Sequence, residues 1–216
     1  WIRIAPATCL VADNGERYQV RQGVGIELGQ EFWMPESGEA TFSLIFPPLP
    51  ASVKSFDFVE GEGERDFNLF GISLIGKLPK LQLPKDLGKA GKATAVALPT
   101  PEIKEGTAII SGRILDYKPS FRMKVELHSA DLLSAYGQKN TELKLDEAGN
   151  FHTEMPVSHP SVAYLSVGGS VISFLLSPGG ETKITVNLRE MTRASSRLRK
   201  DAKPEGKKVY FEGLNA

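Results

Sequence analysis

Val171-Ile172-Ser173-Phe174-Leu175-Leu176-Ser177-Pro178-Gly179-Gly180-Glu181-Thr182-Lys183-Ile184-Thr185-Val186-Asn187-Leu188 is the stretch on which the fold turns. Two runs rich in β-branched and aromatic residues stand either side of Ser-Pro-Gly-Gly, and that composition predicts two strands with a tight turn between them. Upstream the pattern repeats. Residues 161–167, 150–155, 141–146, 123–128 and 108–115 each read as a strand, several alternating apolar with charged side chains. Asp146-Glu147-Ala148-Gly149 supplies one turn, and Gly112 marks a bulge or a point of close approach. Seven short strands separated by turn signals predict a β-sandwich of immunoglobulin-like or transthyretin-like type over 107–190. Residues 131–136 fit either a helical turn or a loop.

The first part of the chain has the same style without a shared motif. Residues 7–12 and 17–21 flank Asp13-Asn14-Gly15-Glu16, where Asn-Gly predicts a hairpin through a type I′ turn. Residues 24–28 alternate. Thr41-Phe42-Ser43-Leu44-Ile45-Phe46 puts Phe42, Leu44 and Phe46 on one face of a half-buried strand, which Pro47, Pro48 and Pro50 end by withholding ladder donors. Strands at 54–60 and 67–74 complete a predicted β-sandwich over 1–76. Residues 77–106, dense in Lys, Pro, Gly and Ala, read as a linker, with Leu78, Leu81 and Leu83 as an edge segment on the first domain the alternative. From Met191 to Ala216 a basic linker is expected to lead towards a further domain, with Arg193, Arg197 and Lys200 able to share one helical face.

The totals set limits. In 216 residues, hydrophobic types make up 41% and charged types 24%, the balance of a chain that folds around a core. Basic and acidic residues number 26 each, so no overall field draws nucleic acid or anionic lipid. No apolar run approaches the roughly 20 residues of a membrane span. Trp1-Ile2-Arg3-Ile4 already reads as a strand, and 209–216 ends on apolar residues; the chain is therefore expected to be a fragment lacking residues at both ends.

The candidate sites are few. Cys9 is the single cysteine, so neither an intrachain disulfide nor a cysteine zinc site can form, and its strand predicts a buried thiol. His128, His152 and His159 lack metal-pair spacing and are expected at the surface. Asp57, Glu60, Glu62, Glu64 and Asp66, gathered around two glycines, could in principle hold calcium, though a solvated turn is the plainer reading. Trp33, in Glu31-Phe32-Trp33-Met34-Pro35-Glu36-Ser37-Gly38-Glu39, could serve as an aromatic platform for sugar or simply plug one end of the sandwich. Paired glutamates also raise glycoside hydrolysis, which needs two carboxylates astride a bond. Trp33, Glu36, Asp57 and Glu60 are the ligand-binding candidates; no catalytic, metal or cofactor residue is assigned.

Phe32-Trp33-Met34-Pro35-Glu36-Ser37-Gly38-Glu39, residues 42–50 and Phe56-Asp57-Phe58-Val59-Glu60-Gly61 resemble the amino-terminal β domain of Gram-negative envelope thiol–disulfide oxidoreductases of the TlpA-like, peroxiredoxin/thioredoxin class. Ile110-Ser111-Gly112-Arg113-Ile114-Leu115-Asp116-Tyr117-Lys118-Pro119 and Leu176-Ser177-Pro178-Gly179-Gly180-Glu181-Thr182 resemble the next module, and residues 206–213 the lead-in to the thioredoxin fold. That family works through a Cys-x-x-Cys pair at a helix start, and none stands in this chain, so no catalytic residue carries over. Either such a domain follows Ala216 or this relative lacks one. The resemblance implies a non-catalytic accessory region in the periplasm or cell envelope, positioning the redox domain or recognising its partner. It implies a thioredoxin-fold domain or an envelope protein as partner, no cofactor, and membrane contact only through a lipid anchor outside these residues. A glycan- or peptide-binding module and an adhesin or pilus-like subunit are the alternatives.

Overall fold

A computed structural model describes residues 1–61, 66–76, 81–85, 87, 101–130, 137–195, 206–213 and 215. The chain is nearly all β and divides into two compact units, Trp1–Lys80 and Leu81–Ala216. Among the described residues no helix is long and apolar enough to cross a membrane.

In the first unit β1 (Cys9–Ala12), β2 (Arg17–Gln19), β5 (Ser55–Val59) and β6 (Asn68–Ser73) form an antiparallel sheet in the order β2-β1-β5-β6. A second, two-stranded sheet pairs β3 (Gln22–Val24) with β4 (Ser43–Ile45). Phe42, Leu44 and Phe46 are half-buried in alternation with exposed neighbours, as the period-2 pattern predicts. Phe46 meets Phe58 of β5 edge to face, so an aromatic contact joins the two sheets. Ile4, Leu10, Ala12, Val20, Ile26, Val53 and Val59 are buried.

The β1–β2 hairpin forms as expected, but its turn is a different one. Gly15 alone has positive φ (86°), and its N–H donates to Ala12 O while Ala12 N–H donates to Glu16 O. That is a three-residue loop, a type I turn closed by a left-handed glycine. Asn14 is free to keep negative φ because its side-chain oxygen accepts the Glu16 N–H, an Asx turn that competes with the I′ geometry.

The second unit is a sandwich of two four-stranded sheets. One runs β10-β7-β13-β14, the other β12-β11-β8-β9. The strands are β7 (Gly106–Leu115), β8 (Val125–Ala130), β9 (Gln138–Leu143), β10 (Asn150–Val157), β11 (Ser161–Val167), β12 (Ser170–Leu176), β13 (Glu181–Asn187) and β14 (Val209–Gly213). All neighbours are antiparallel except β7 and β13, which run parallel. The four-plus-four layout, with its parallel central pair, departs from the four-plus-three immunoglobulin arrangement. Alternate residues of both sheets, among them Ile110, Ile114, Leu127, Leu165, Leu176, Ile184 and Val186, fill one continuous core. The Ser177-Pro178-Gly179-Gly180 turn carries the chain from an edge of one sheet into the middle of the other.

Two expectations about boundaries need correction. The region 191–216 is not simply a linker: α1 (Leu188–Ser195) puts Leu188 and Met191 into the core, and β14 pairs with β13 along Thr182–Val186. Asn187 caps α1 by accepting the Glu190 N–H, and the buried Glu190 accepts the Gly206 N–H, tying the helix to the approach to β14. Arg197 and Lys200 lie outside the described residues. Within the linker expected at 77–106, Leu87 is buried, Lys104 N–H donates to Ser158 O, and Gly106 already belongs to β7. Leu78 lies outside the described residues, as do residues 131–136.

Candidate functional site

The four expected ligand-binding residues fall on two stretches of the first unit, Asp57 and Glu60 in and just after β5, Trp33 and Glu36 between β3 and β4. Asp57 sits in β5 only 2% exposed, and its Oδ1 accepts the Gly71 N–H at 2.8 Å. Register explains this: Phe56 pairs with Ile72 and Phe58 with Leu69, so Phe70 and Gly71 together oppose Asp57 in a bulge, with Gly71 at φ 71°. The bulge turns an N–H away from the ladder, and the Asp57 carboxylate satisfies it. Glu60, just past the strand, accepts the Phe67 N–H through Oε2 at 3.1 Å. Both carboxylates serve the backbone of this β5–β6 pair. Glu62 and Glu64 lie outside the described residues, which contain no group of three or more potential metal ligands.

Trp33 and Glu36 belong to the exposed segment between β3 and β4. Glu36 lies in a turn closed by Gly38 N–H to Pro35 O. Trp33 follows Phe32, which forms an isolated antiparallel bridge with Ile2: Ile2 N–H donates to Phe32 O at 2.8 Å, and Phe32 N–H to Ile2 O at 2.7 Å. Extending that register sets Trp1 opposite Trp33 and Arg3 opposite Glu31. Burial agrees, since Trp1, Arg3, Glu31 and Trp33 are exposed while Ile2 and Phe32 between them are half-buried. Trp1 is 62% and Trp33 71% exposed. Trp33 is therefore an outward-facing residue and closes no sandwich end.

The histidines point apart. His128 stands on the outer face of β8, its Nδ1 2.8 Å from Asn140 Oδ1 on β9. His152 stands on the outer face of β10 in the opposite sheet, 3.6 Å from Glu154. His159 contacts its neighbour Ser158 at a bend. Cys9 is buried, as expected, with Arg17 Nη2 donating to Sγ at 3.4 Å.

A second surface escaped the sequence reading. The outer face of the β12-β11-β8-β9 sheet carries Val162 (51% exposed), Tyr164 (45%) and Val171 (65%) beside the half-buried Leu175. Register aligns Ser173, Tyr164, His128 and Asn140 in one row across all four strands. The next row is Val171, Ser166, Glu126 and Glu142, two carboxylates directly opposed. Like charges in that position are unfavourable. Alternation in β11 and β12 was legible, but which sheet would be left uncovered was not.

Comparison of the chain with protein-family models, with curated proteins and with solved structures returns no match.

Proposed function

We propose that this chain is a non-catalytic accessory region of a cell-envelope thiol–disulfide oxidoreductase, and that it holds the redox domain against the outer face of the β12-β11-β8-β9 sheet. The observation that carries the reading is the exposed group of Val162, Tyr164 and Val171 on a sheet face, where alternation normally leaves only polar side chains. Tyrosine is favoured at protein contacts because its ring buries apolar area while its hydroxyl keeps a polar partner. Opposed Glu126 and Glu142 add a preference for a basic residue on the docked surface. The redox chemistry and the periplasmic location rest on the family resemblance.

Insulin reduction by the longer gene product and by this chain alone tests the proposal. Turnover is expected from the longer product only. Turnover by this chain would overturn the accessory role, and a longer product without a Cys-x-x-Cys pair would overturn the redox assignment.

A further inference from the structure

The chain's two tryptophans, 32 positions apart in sequence, flank the Ile2–Phe32 bridge and are both exposed. We infer that the Trp1–Trp33 ribbon of the first unit is a binding site for a neutral carbohydrate. The inference concerns a different unit and surface from the docking face above and does not depend on it.

The geometry begins at the Ile2–Phe32 bridge, in which both N–H groups are satisfied by the opposite carbonyl. Extending the bridge's register sets Trp1 opposite Trp33 and Arg3 opposite Glu31, before the chain leaves that register where Gly29 N–H donates to Ile4 O. Ile2, Phe32 and the buried Ile4 turn inward and fix the ribbon to the unit, so the four outward side chains stand on a supported surface. Tryptophan is ordinarily highly buried, so two of them exposed on either side of one bridge make an apolar surface that needs an occupant.

Two further observations select the ligand. Among the described residues the two indoles do not pair with each other, and Arg3 and Glu31 form no ion pair. Both rings are largely exposed, and among the described residues both charged heads lack an ion-pair partner. A pyranose offers an apolar C–H face to an indole and hydroxyls at its rim that both donate and accept. Arg3 supplies only donors and ionised Glu31 only acceptors, a set that satisfies hydroxyls from either side. The two charges cancel, so the four side chains carry no net field. An anionic ligand would meet Glu31 and a cationic one Arg3, which disfavours both relative to a neutral ligand. Successive same-face residues on a strand are about 7 Å apart, enough to place one sugar ring over the indoles and its rim at the charged pair.

Because both tryptophans flank this bridge, intrinsic fluorescence reports the site directly. Titration of the chain with cellohexaose and chitohexaose is expected to change the emission saturably with at least one of them. Trp33→Ala and Trp1→Ala should each weaken that binding about tenfold or more, and Arg3→Ala by a smaller factor. Thermal unfolding of all three variants should match the parent, since the side chains are exposed. Three results would each overturn the inference: no saturable change with either sugar, a change only with polygalacturonate or a proline-rich peptide, or undiminished sugar binding by Trp33→Ala.

Discussion

An alanine at position 112 would drive its methyl group onto the Ile184 carbonyl oxygen and the Phe151 ring, because Gly112 lies between β10 and β13 at the tightest crossing of the second unit. The Ile184 carbonyl cannot retreat without disturbing the β7–β13 pairing. Gly112→Ala should cost about 1–3 kcal/mol, read as a lowered urea midpoint with an unchanged slope. At the β9–β10 turn, Asp146 accepts the N–H groups of Ala148 and Asn150 and the Asn150 side-chain amide. Those bonds, the Asn150 side chain first, hold its carboxyl below the usual carboxylate range. A depressed folded pKa contributes stability that is present above the unfolded value near about 4 and is lost as pH falls through the folded one. The parent should therefore lose stability below about pH 4 more steeply than Asp146→Asn, which keeps an acceptor oxygen and does not titrate. Chemical denaturation at stepped pH reads the difference. Gly112 was legible as a close-approach point. Asp57 was not legible as a bulge ligand, because its role depends on a register shift fourteen residues away.

At the scale of elements, the second sandwich manages its sheet edges individually. The Asn215 side chain acts as a one-residue strand on β12: its oxygen accepts the Leu175 N–H and its amide donates to Leu175 O and to the Thr182 hydroxyl. It thereby links an edge of one sheet to the interior of the other. Thr182 is buried, so losing this partner leaves a hydroxyl unsatisfied. Asn215→Ala should destabilise the unit by about 2 kcal/mol and speed amide exchange at Leu175 selectively. Edge strand β10 contains Pro156, and edge strand β9 is Gln138-Lys139-Asn140-Thr141-Glu142-Leu143, both poor templates for an added strand. Strand β14 forms the fourth edge of this sandwich. Strand existence was legible because period-2 alternation is local. The membership of β14 was not, since a basic run precedes it and only pairing with β13 reveals it.

For the whole molecule, composition and turn chemistry revealed two β bodies, yet the surfaces that matter come from residues far apart in sequence. Trp33 stood out in sequence as a sugar platform or a plug for the sandwich end, while Trp1 acquires meaning only through the Ile2–Phe32 bridge. Val162, Tyr164 and Val171 read as ordinary strand positions until the sheet order leaves their face uncovered. The absence of a cysteine pair speaks only for these 216 residues. The proposed docking of a redox domain on this face can be tested without measuring chemistry. Hydroxyl-radical footprinting of Tyr164 should show strong labelling in this chain alone and marked protection when the proposed redox domain is present, in the full-length gene product, with Trp33 labelled alike in both. Equal labelling of Tyr164 in the two would contradict the account.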